Sequence, residues 1–274
     1  MELTIKTIEV AIMNQAPDEW HTHILCLGEG ASAVLAGCES SPSVHVYLVG
    51  ERHHLVALEK ESKPARFEDN SMLFTVIDAG EPELDGWLER FERAFNAMPD
   101  VFIVMKASEA NLSVREAHWS GRRTSMDYTS CWHFAAHGFK QNVFTEFVLQ
   151  IAEPPLCLKN NLISVELADY RCALDGEGLI HVAKSVGHGC EQAQKTAKVI
   201  VKQLESAGAT LEKALGIVLI VETGAGCKRA ISLFDDIAHY VKLRIKEDVT
   251  LIVSAPLSQT LPADKYNVYL AVRE

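Results

Sequence analysis

Two glycines and a serine directly after an apolar run are the residues best placed for phosphate chemistry. The run at residues 23–27 predicts a buried strand, and Gly28, Gly30 and Ser32 follow it. Backbone amides at the start of a helix bind phosphate oxygens where no side chain blocks their approach. A single Gly-x-Gly also makes an ordinary strand-to-helix turn. The segment is therefore a candidate anion site, with a tight turn as the alternative.

Metal and hydrolase chemistry find less support in the residue spacing. His133 and His137 have the i, i+4 spacing that can place two imidazoles on one metal ion, but the glutamate of the zincin pattern is missing. None of the seven cysteines belongs to a C-x-x-C pair. The sequence also lacks a Gly-x-Ser-x-Gly elbow. We therefore predict no metal site and no hydrolase triad.

Composition limits the partners and the compartment. The chain of 274 residues carries 26 basic and 37 acidic side chains, a net charge of −11 that repels nucleic-acid backbones. Scattered cysteines in apolar surroundings are typical of reduced thiols in a cytosol. The longest apolar stretch, residues 215–221, is too short to cross a bilayer. We expect a soluble cytoplasmic protein that is not integral to a membrane and binds no nucleic acid.

The elements that must position these residues follow an α/β order. Strands are predicted at 23–27, 44–49, 73–77 and 101–105, with an extra strand or arm within residues 1–12. A long helix is predicted at 132–151, ending before Pro154 and Pro155 because proline lacks an amide donor.

The last third has the clearest pattern. Strands at 179–186, 216–222, 249–254 and 266–272 alternate with helices at 191–206 and 228–246. The first helix is expected to be capped by Gly208. The second carries one apolar stripe, formed by Ile231, Phe234, Ala238, Val241 and Ile245. This order predicts parallel strands joined by helical crossovers, followed by one antiparallel strand.

Three segments in this region, in this order, resemble FtsZ. They are LISVELADYR at 162–171, ALGIVLIVETG at 214–224 and VTLIVSAPLSQTL at 249–261. On these segments the chain is identified as a divergent, shortened member of the tubulin/FtsZ superfamily. The resemblance implies an α/β fold with a reduced Rossmann-like nucleotide domain, a long central helix and a smaller α/β C-terminal domain with a mixed sheet. The implied boundaries are 1–152, 153–175 and 176–274.

The resemblance also implies a catalytic loop that acts on a neighbouring subunit. Ser164, Glu166 and Asp169 stand where FtsZ has Asn-x-Asp-x-x-Asp, whose carboxylates help position the attacking water on GTP held by the next subunit. Glu166 and Asp169 are therefore the candidate catalytic residues, acting in trans. The alternative is that both acids lie in the first turn of a helix, where carboxylates favour the positive end of the helix dipole.

The phosphate loops of the family are altered in this chain. Gly28, Gly30 and Ser32 stand in place of a glycine run, and Gly80 lies in a stretch that resembles the family's contact with the terminal phosphate but now carries several acids. The family's glycine-rich signature is replaced at 106–112 by KASEANL. We therefore expect no bound cofactor, with GTP and Mg²⁺ as the alternative.

The function expected from these features is an FtsZ/tubulin-like assembly or scaffold protein, a pseudo-GTPase with a cytoskeletal or membrane-remodelling role. Its expected partner is a second copy or another tubulin/FtsZ-like protein, joined head to tail. Two alternatives stay open. One is an enzyme that hydrolyses GTP at the subunit interface, and the other is a binding domain for a small metabolite, placed at the carboxyl ends of the strands.

Overall fold

The computed structural model describes residues 21–36, 44–49, 71–79, 100–106, 130–135, 141–153 and 161–274. The strand predicted within residues 1–12 lies outside these ranges. Within these ranges, ten strands form one sheet in the order β2-β1-β3-β4-β5-β7-β10-β8-β9-β6.

The first half of the sheet is parallel throughout. Its elements are β1 (His21–Leu27), α1 (Glu29–Leu35), β2 (Val44–Val49), β3 (Ser71–Asp78), β4 (Val101–Lys106) and β5 (Ser130–Ala135). Parallel strands covered on both faces are apolar along their length rather than on alternate residues. The run from Ile24 to Leu27 is completely buried, as that rule requires.

The prediction of a long helix at 132–151 is wrong for the first residues of that range. Residues 130–135 form strand β5, and α2 (Gln141–Ala152) begins only after it. Ser130, Trp132 and Phe134 are buried whereas Cys131 and His133 are half-buried, which is the two-residue period of a strand. Hydrogen bonding to β4 outweighs the helical spacing of the local apolar residues.

The second half contains the remaining elements. These are β6 (Asn161–Ile163), α3 (Leu167–Leu174), β7 (Ile180–His188), α4 (Ala193–Ser206), β8 (Gly216–Gly224), α5 (Ala230–Lys242), β9 (Thr250–Ser258) and β10 (Lys265–Arg273). The predicted order of strands and helices is confirmed. The α4 helix ends at Ser206, and Gly208 adopts a positive φ of 98° in the turn that follows.

Strand neighbours in this half differ from a simple succession. β10 lies between β7 and β8 and is antiparallel to both, while β8 and β9 are parallel. β7 joins the first half by a parallel pairing of Phe134 with Ile180, and β6 pairs antiparallel with β9 at the edge. Apolar periodicity predicts that β10 is a strand, but it contains no information on which strands flank it.

Helices cover both faces of the second half. One face packs with α2 and α3 in a core that continues into the first half. The other face packs with α4 and α5 in a separate core that includes Leu219, Val268 and Leu270. Buried positions Ala193, Ala197, Ile200 and Leu204 give α4 the apolar stripe that this packing needs. The domain boundaries given above stay a prediction.

None of the helices in the described ranges combines the length and apolar character that a membrane crossing requires.

Candidate functional site

The turn after β1 is held by backbone hydrogen bonds. Gly28 has a φ of 89°, a conformation that favours glycine, and its N–H donates to the Val49 carbonyl at 3.0 Å. The Ser32 N–H donates to the Gly28 carbonyl at 3.1 Å, and the Ser32 hydroxyl donates to the Cys26 carbonyl at 3.4 Å. These bonds build a tight strand-to-helix turn in which the serine hydroxyl bonds to the protein backbone.

An acidic side chain lies against this turn. A Cβ placed on Gly30 would be 2.4 Å from Oδ2 of Asp78, so the Asp78 carboxylate at the end of β3 rests on the backbone at the start of α1. Glu29 adds a second acid in the first turn of the same helix. The resemblance to FtsZ puts nucleotide phosphates at this place, and two carboxylates there repel an anion. Gly80 lies outside the described residues.

Glu166 and Asp169 cap the start of α3. The Glu166 N–H donates to Oδ2 of Asp169 at 2.9 Å, and the Glu166 side chain accepts the N–H of Asp169 in return. This reciprocal arrangement is a capping box. Both residues are exposed, and so is Ser164. The geometry gives both acids the local role stated above as the alternative, and their catalytic role stays a prediction.

Two contacts fix α3 on the sheet. Tyr170 is buried in the core that α3 shares with the sheet, and burial raises the pKa of its phenol, which therefore stays neutral. At the other end, a Cβ on Gly216 would lie 1.9 Å from the Ala173 carbonyl, so only glycine permits this approach of helix and strand. The carboxylates of the capping box stand at the opposite end of the helix from Gly216.

The structure places the two candidate groups on different elements. Gly28 forms the β1–α1 turn and Gly30 and Ser32 lie in the first turns of α1, in the first half, whereas Glu166 and Asp169 cap the start of α3 in the second half. His133 is on strand β5 near the Cys131 thiol, at 3.4 Å, and His137 lies outside the described residues. Within the described ranges, no three His, Cys, Asp or Glu residues are grouped so that they could hold a metal ion.

The sequence analysis did not predict an apolar cleft that lies between β6, β9 and α5. It has a volume of about 190 Å³ and is lined by Leu162, Ile163, Ile231, Phe234, Asp235 and Ala255. Leu162 and Ile163 on edge strand β6 are 40% and 37% exposed, and Ile231 on α5 is 65% exposed. Ile231 was expected on the buried stripe of α5, but the buried residues there are Ala230, Leu233, Ile237 and Val241.

Comparison with known proteins defines the fold. No family model matches the sequence, and no curated protein matches it either. The chain is structurally similar to an FtsZ W319Y mutant from M. jannaschii, with 13% identity, a TM-score of 0.58, and 93% of this chain and 91% of that one covered.

Two further solved structures show the same likeness. The GDP-form protofilament of TubZ from Bacillus thuringiensis serovar israelensis has 10% identity and a TM-score of 0.54, over 93% of this chain and 85% of that one. The GTPgS-bound protofilament of CetZ2 from Haloferax volcanii has 10% identity and a TM-score of 0.53, over 92% of each chain. The predicted fold class is therefore confirmed, and the chain adopts the tubulin/FtsZ fold.

Proposed function

We propose that this protein is an assembly protein of the tubulin/FtsZ type that associates with itself without hydrolysing GTP. The observation that carries this proposal is the exposed apolar cleft formed by Leu162, Ile163, Ile231, Phe234, Asp235 and Ala255. Exposed apolar side chains that lie next to one another mark surfaces that bind other proteins. Among the described strands, β6 also lies at the edge of the sheet, and a strand in that position favours further association.

The proposed occupant of this cleft is a second copy of the chain, bound head to tail. Proteins of the same fold have been solved as an FtsZ dimer and as TubZ and CetZ2 protofilaments. A head-to-tail contact joins two different surfaces and repeats along a filament when it does not close into a ring. The alternative occupant is another tubulin/FtsZ-like protein. The experiment below tests self-association with the purified chain alone.

The part of the proposal that concerns GTP is supported by the β1–α1 turn. Asp78 lies against Gly30, and Glu29 follows Gly28 in the first turn of α1. A nucleotide would bring its phosphates toward two carboxylates, and the Gly28 and Ser32 amides already donate to the Val49 and Gly28 carbonyls. We therefore expect no tight GTP binding and no turnover.

Light scattering over a range of protein concentrations, with and without GTP and Mg²⁺, tests self-association. Ile231→Lys puts a charge into the cleft and is expected to raise the concentration needed for assembly by at least about tenfold, because burying one isoleucine is worth about 2 kcal/mol. Leu243→Lys is the matched control, since Leu243 is 68% exposed at the other end of α5. Equal effects of both substitutions, or a protein that stays monomeric at all concentrations, would contradict the proposed surface.

Calorimetric titration with GTP and Mg²⁺ tests the nucleotide part separately. No heat of binding is expected. A fitted micromolar affinity would overturn the pseudo-GTPase proposal even if scattering showed assembly.

The second candidate function is hydrolysis of GTP at the interface between subunits. The observation that favours it is that both carboxylates of the capping box are exposed at the start of α3. In that case phosphate release rises with protein concentration, and Asp169→Asn abolishes it while assembly persists. An unchanged rate in Asp169→Asn would rule out this role for Asp169.

A further inference from the structure

Two histidines from neighbouring strands meet at one end of the parallel half of the sheet. His21 is the first residue of β1, and His45 lies on β2, which pairs with β1 so that His45 is opposite His23. Nδ1 of His21 is 3.4 Å from Nε2 of His45, and the centroids of the two rings are 5.4 Å apart. Neither histidine stands out in the sequence, because 24 residues separate them and the strand pairing brings them together.

The distance between these two nitrogens fits two ligands of one metal ion. A Zn–N bond is about 2.0–2.1 Å long, so two imidazole nitrogens on a tetrahedral zinc ion are about 3.3–3.4 Å apart. The observed 3.4 Å agrees with that value. An N–H hydrogen bond to oxygen is about 2.7–3.2 Å long, so the same distance is long for a bond in which a proton joins the two rings.

A third histidine fixes the orientation of the His45 ring. His23 lies on the same face of the sheet as His21, because side chains two residues apart in a strand share a face. The His23 ring stacks on the His45 ring, with centroids 5.4 Å apart and an angle of 23° between the planes. His23 is itself 5% exposed, and its Nδ1 is 3.2 Å from the Tyr47 hydroxyl. The His45 ring is therefore held between two other imidazoles, as the ligands of metal sites are held by their neighbours.

Burial indicates which nitrogen of His21 could bind a ligand. Its Nε2 is buried and has no hydrogen-bond partner in the part of the chain that the structure describes. Nδ1 is the nitrogen that faces His45. Both His21 and His45 are only half-buried, and β2 is the outermost described strand on this side of the sheet, which leaves a small ion a path from solvent.

We propose that His21 and His45 form a binding site for a divalent metal ion that prefers imidazole, such as Zn²⁺, with Nδ1 of His21 and Nε2 of His45 as ligands. Imidazole suits Zn²⁺, Ni²⁺ and Cu²⁺, whereas Mg²⁺ prefers oxygen ligands. Water completes the coordination, since the described residues supply no group of three protein ligands. With two protein ligands the affinity is expected to be micromolar, below that of a structural site with four.

The site is separate from the candidate phosphate turn. His21 begins β1, whereas Gly28 follows the last residue of the same strand. At about 3.3 Å per residue, the two ends of this strand are roughly 20 Å apart. Metal binding at His21 and His45 is therefore expected without nucleotide and without assembly, so it can fail or succeed independently of the function proposed above.

Calorimetric titration of the metal-free full chain with Zn²⁺ tests the site, without nucleotide and at protein concentrations that show no assembly by light scattering. One ion per chain and a micromolar dissociation constant are expected. His21→Gln and His45→Gln are each expected to weaken binding by at least about tenfold, because loss of even an outer-shell partner commonly costs 10–100-fold. His188→Gln is the matched control and is expected to leave binding unchanged, since His188 is an exposed strand histidine on β7.

Nitrogen NMR of the wild-type chain with labelled histidine provides a second measurement, which does not depend on the folding of any variant. Zn²⁺ is expected to shift the imidazole resonances of two histidines together, with saturation at one equivalent. One ring is expected to bind through Nδ1 and the other through Nε2, as the geometry of His21 and His45 requires.

Three results would overturn the proposal. The first is the absence of binding at millimolar Zn²⁺, and the second is binding that both His21→Gln and His45→Gln leave unchanged or that His188→Gln weakens equally. The third is binding that leaves the histidine resonances unshifted, which would place the ion on the free thiols. Circular dichroism identifies a variant that has unfolded, and in that case the wild-type NMR result decides.

Discussion

Two substitutions of Asp169 distinguish a local role in capping α3 from a role in catalysis. Its carboxylate accepts the Glu166 N–H at 2.9 Å and lies in the first turn of α3, near the positive end of the helix dipole. Asp169→Ala removes both interactions, whereas Asp169→Asn keeps an oxygen acceptor of nearly the same shape and removes only the charge. The two variants therefore lose different parts of the same contact.

The magnitudes follow from the two interactions. Loss of a capping hydrogen bond costs about 1 kcal/mol, and loss of an exposed dipole interaction costs about 0.5 kcal/mol. With an unfolding entropy near 2.1 cal/mol/K per residue, the whole chain has an entropy of about 0.6 kcal/mol/K. The Tm of Asp169→Ala is therefore expected to fall by about 2–3 °C, and that of Asp169→Asn by about 1 °C or less.

Thermal unfolding followed by circular dichroism measures both shifts, and phosphate release over a range of protein concentrations is recorded on the same samples. An equal loss of stability in both variants would refute the hydrogen-bond reasoning. If phosphate release is measurable in the wild type and disappears in Asp169→Asn at nearly unchanged Tm, the charge acts in catalysis. In that case the interface GTPase replaces the scaffold as the better interpretation.

Two further predictions concern the carboxylates of Asp175 and Glu153. Asp175 accepts the Trp132 Nε1–H at 2.7 Å and the Ser130 hydroxyl at 3.1 Å, so Asp175→Ala leaves two buried donors unpaired and is expected to cost about 2–4 kcal/mol in chemical unfolding, with Asp175→Asn recovering part of it. Partial burial, and next to it the negative charge of Glu222, raises the pKa of Glu153. The ionised side chain therefore destabilises the folded protein at neutral pH. This destabilisation disappears as the pH falls below the pKa that the carboxyl group has in the unfolded chain. Glu153→Gln is therefore expected to raise Tm at pH 7 and to have no effect near about pH 4, and a lower Tm at pH 7 would contradict this.

The second half of the fold could be predicted well because local signals decide it. α4 ends at Ser206, with Gly208 in the following turn, and the strands on both sides are short apolar runs. β5 was misread because Trp132 and Phe134 also fit the spacing of a helix, and only the pairing with β4 decides between the two. Such pairing is a long-range property, and apolar periodicity alone does not include it.

The candidate site could be predicted only in part. Gly28 is found at a strand-to-helix turn, as its position after an apolar run predicts, but the contact between Asp78 and Gly30 joins residues that are far apart in sequence. The exposure of Ile231 also could not be predicted, because its helical spacing fits a buried stripe and only the packed helix shows that Leu233 and Ile237 face the core. In both cases tertiary packing decides the chemistry of the surface.

The proposed loss of nucleotide binding and the proposed assembly surface are physically compatible in this fold. The cleft takes its side chains from β6, β9 and α5, and α5 packs with α4 in a core separate from the one that contains β1. The proposed repulsion of phosphate by carboxylates near the β1–α1 turn would therefore leave the packing that positions Ile231 undisturbed. Conversely, Ile231→Lys changes an exposed side chain and leaves that turn unaffected. Because the two surfaces depend on different packing, the two parts of the proposal can be tested separately, and the failure of one would not remove the other.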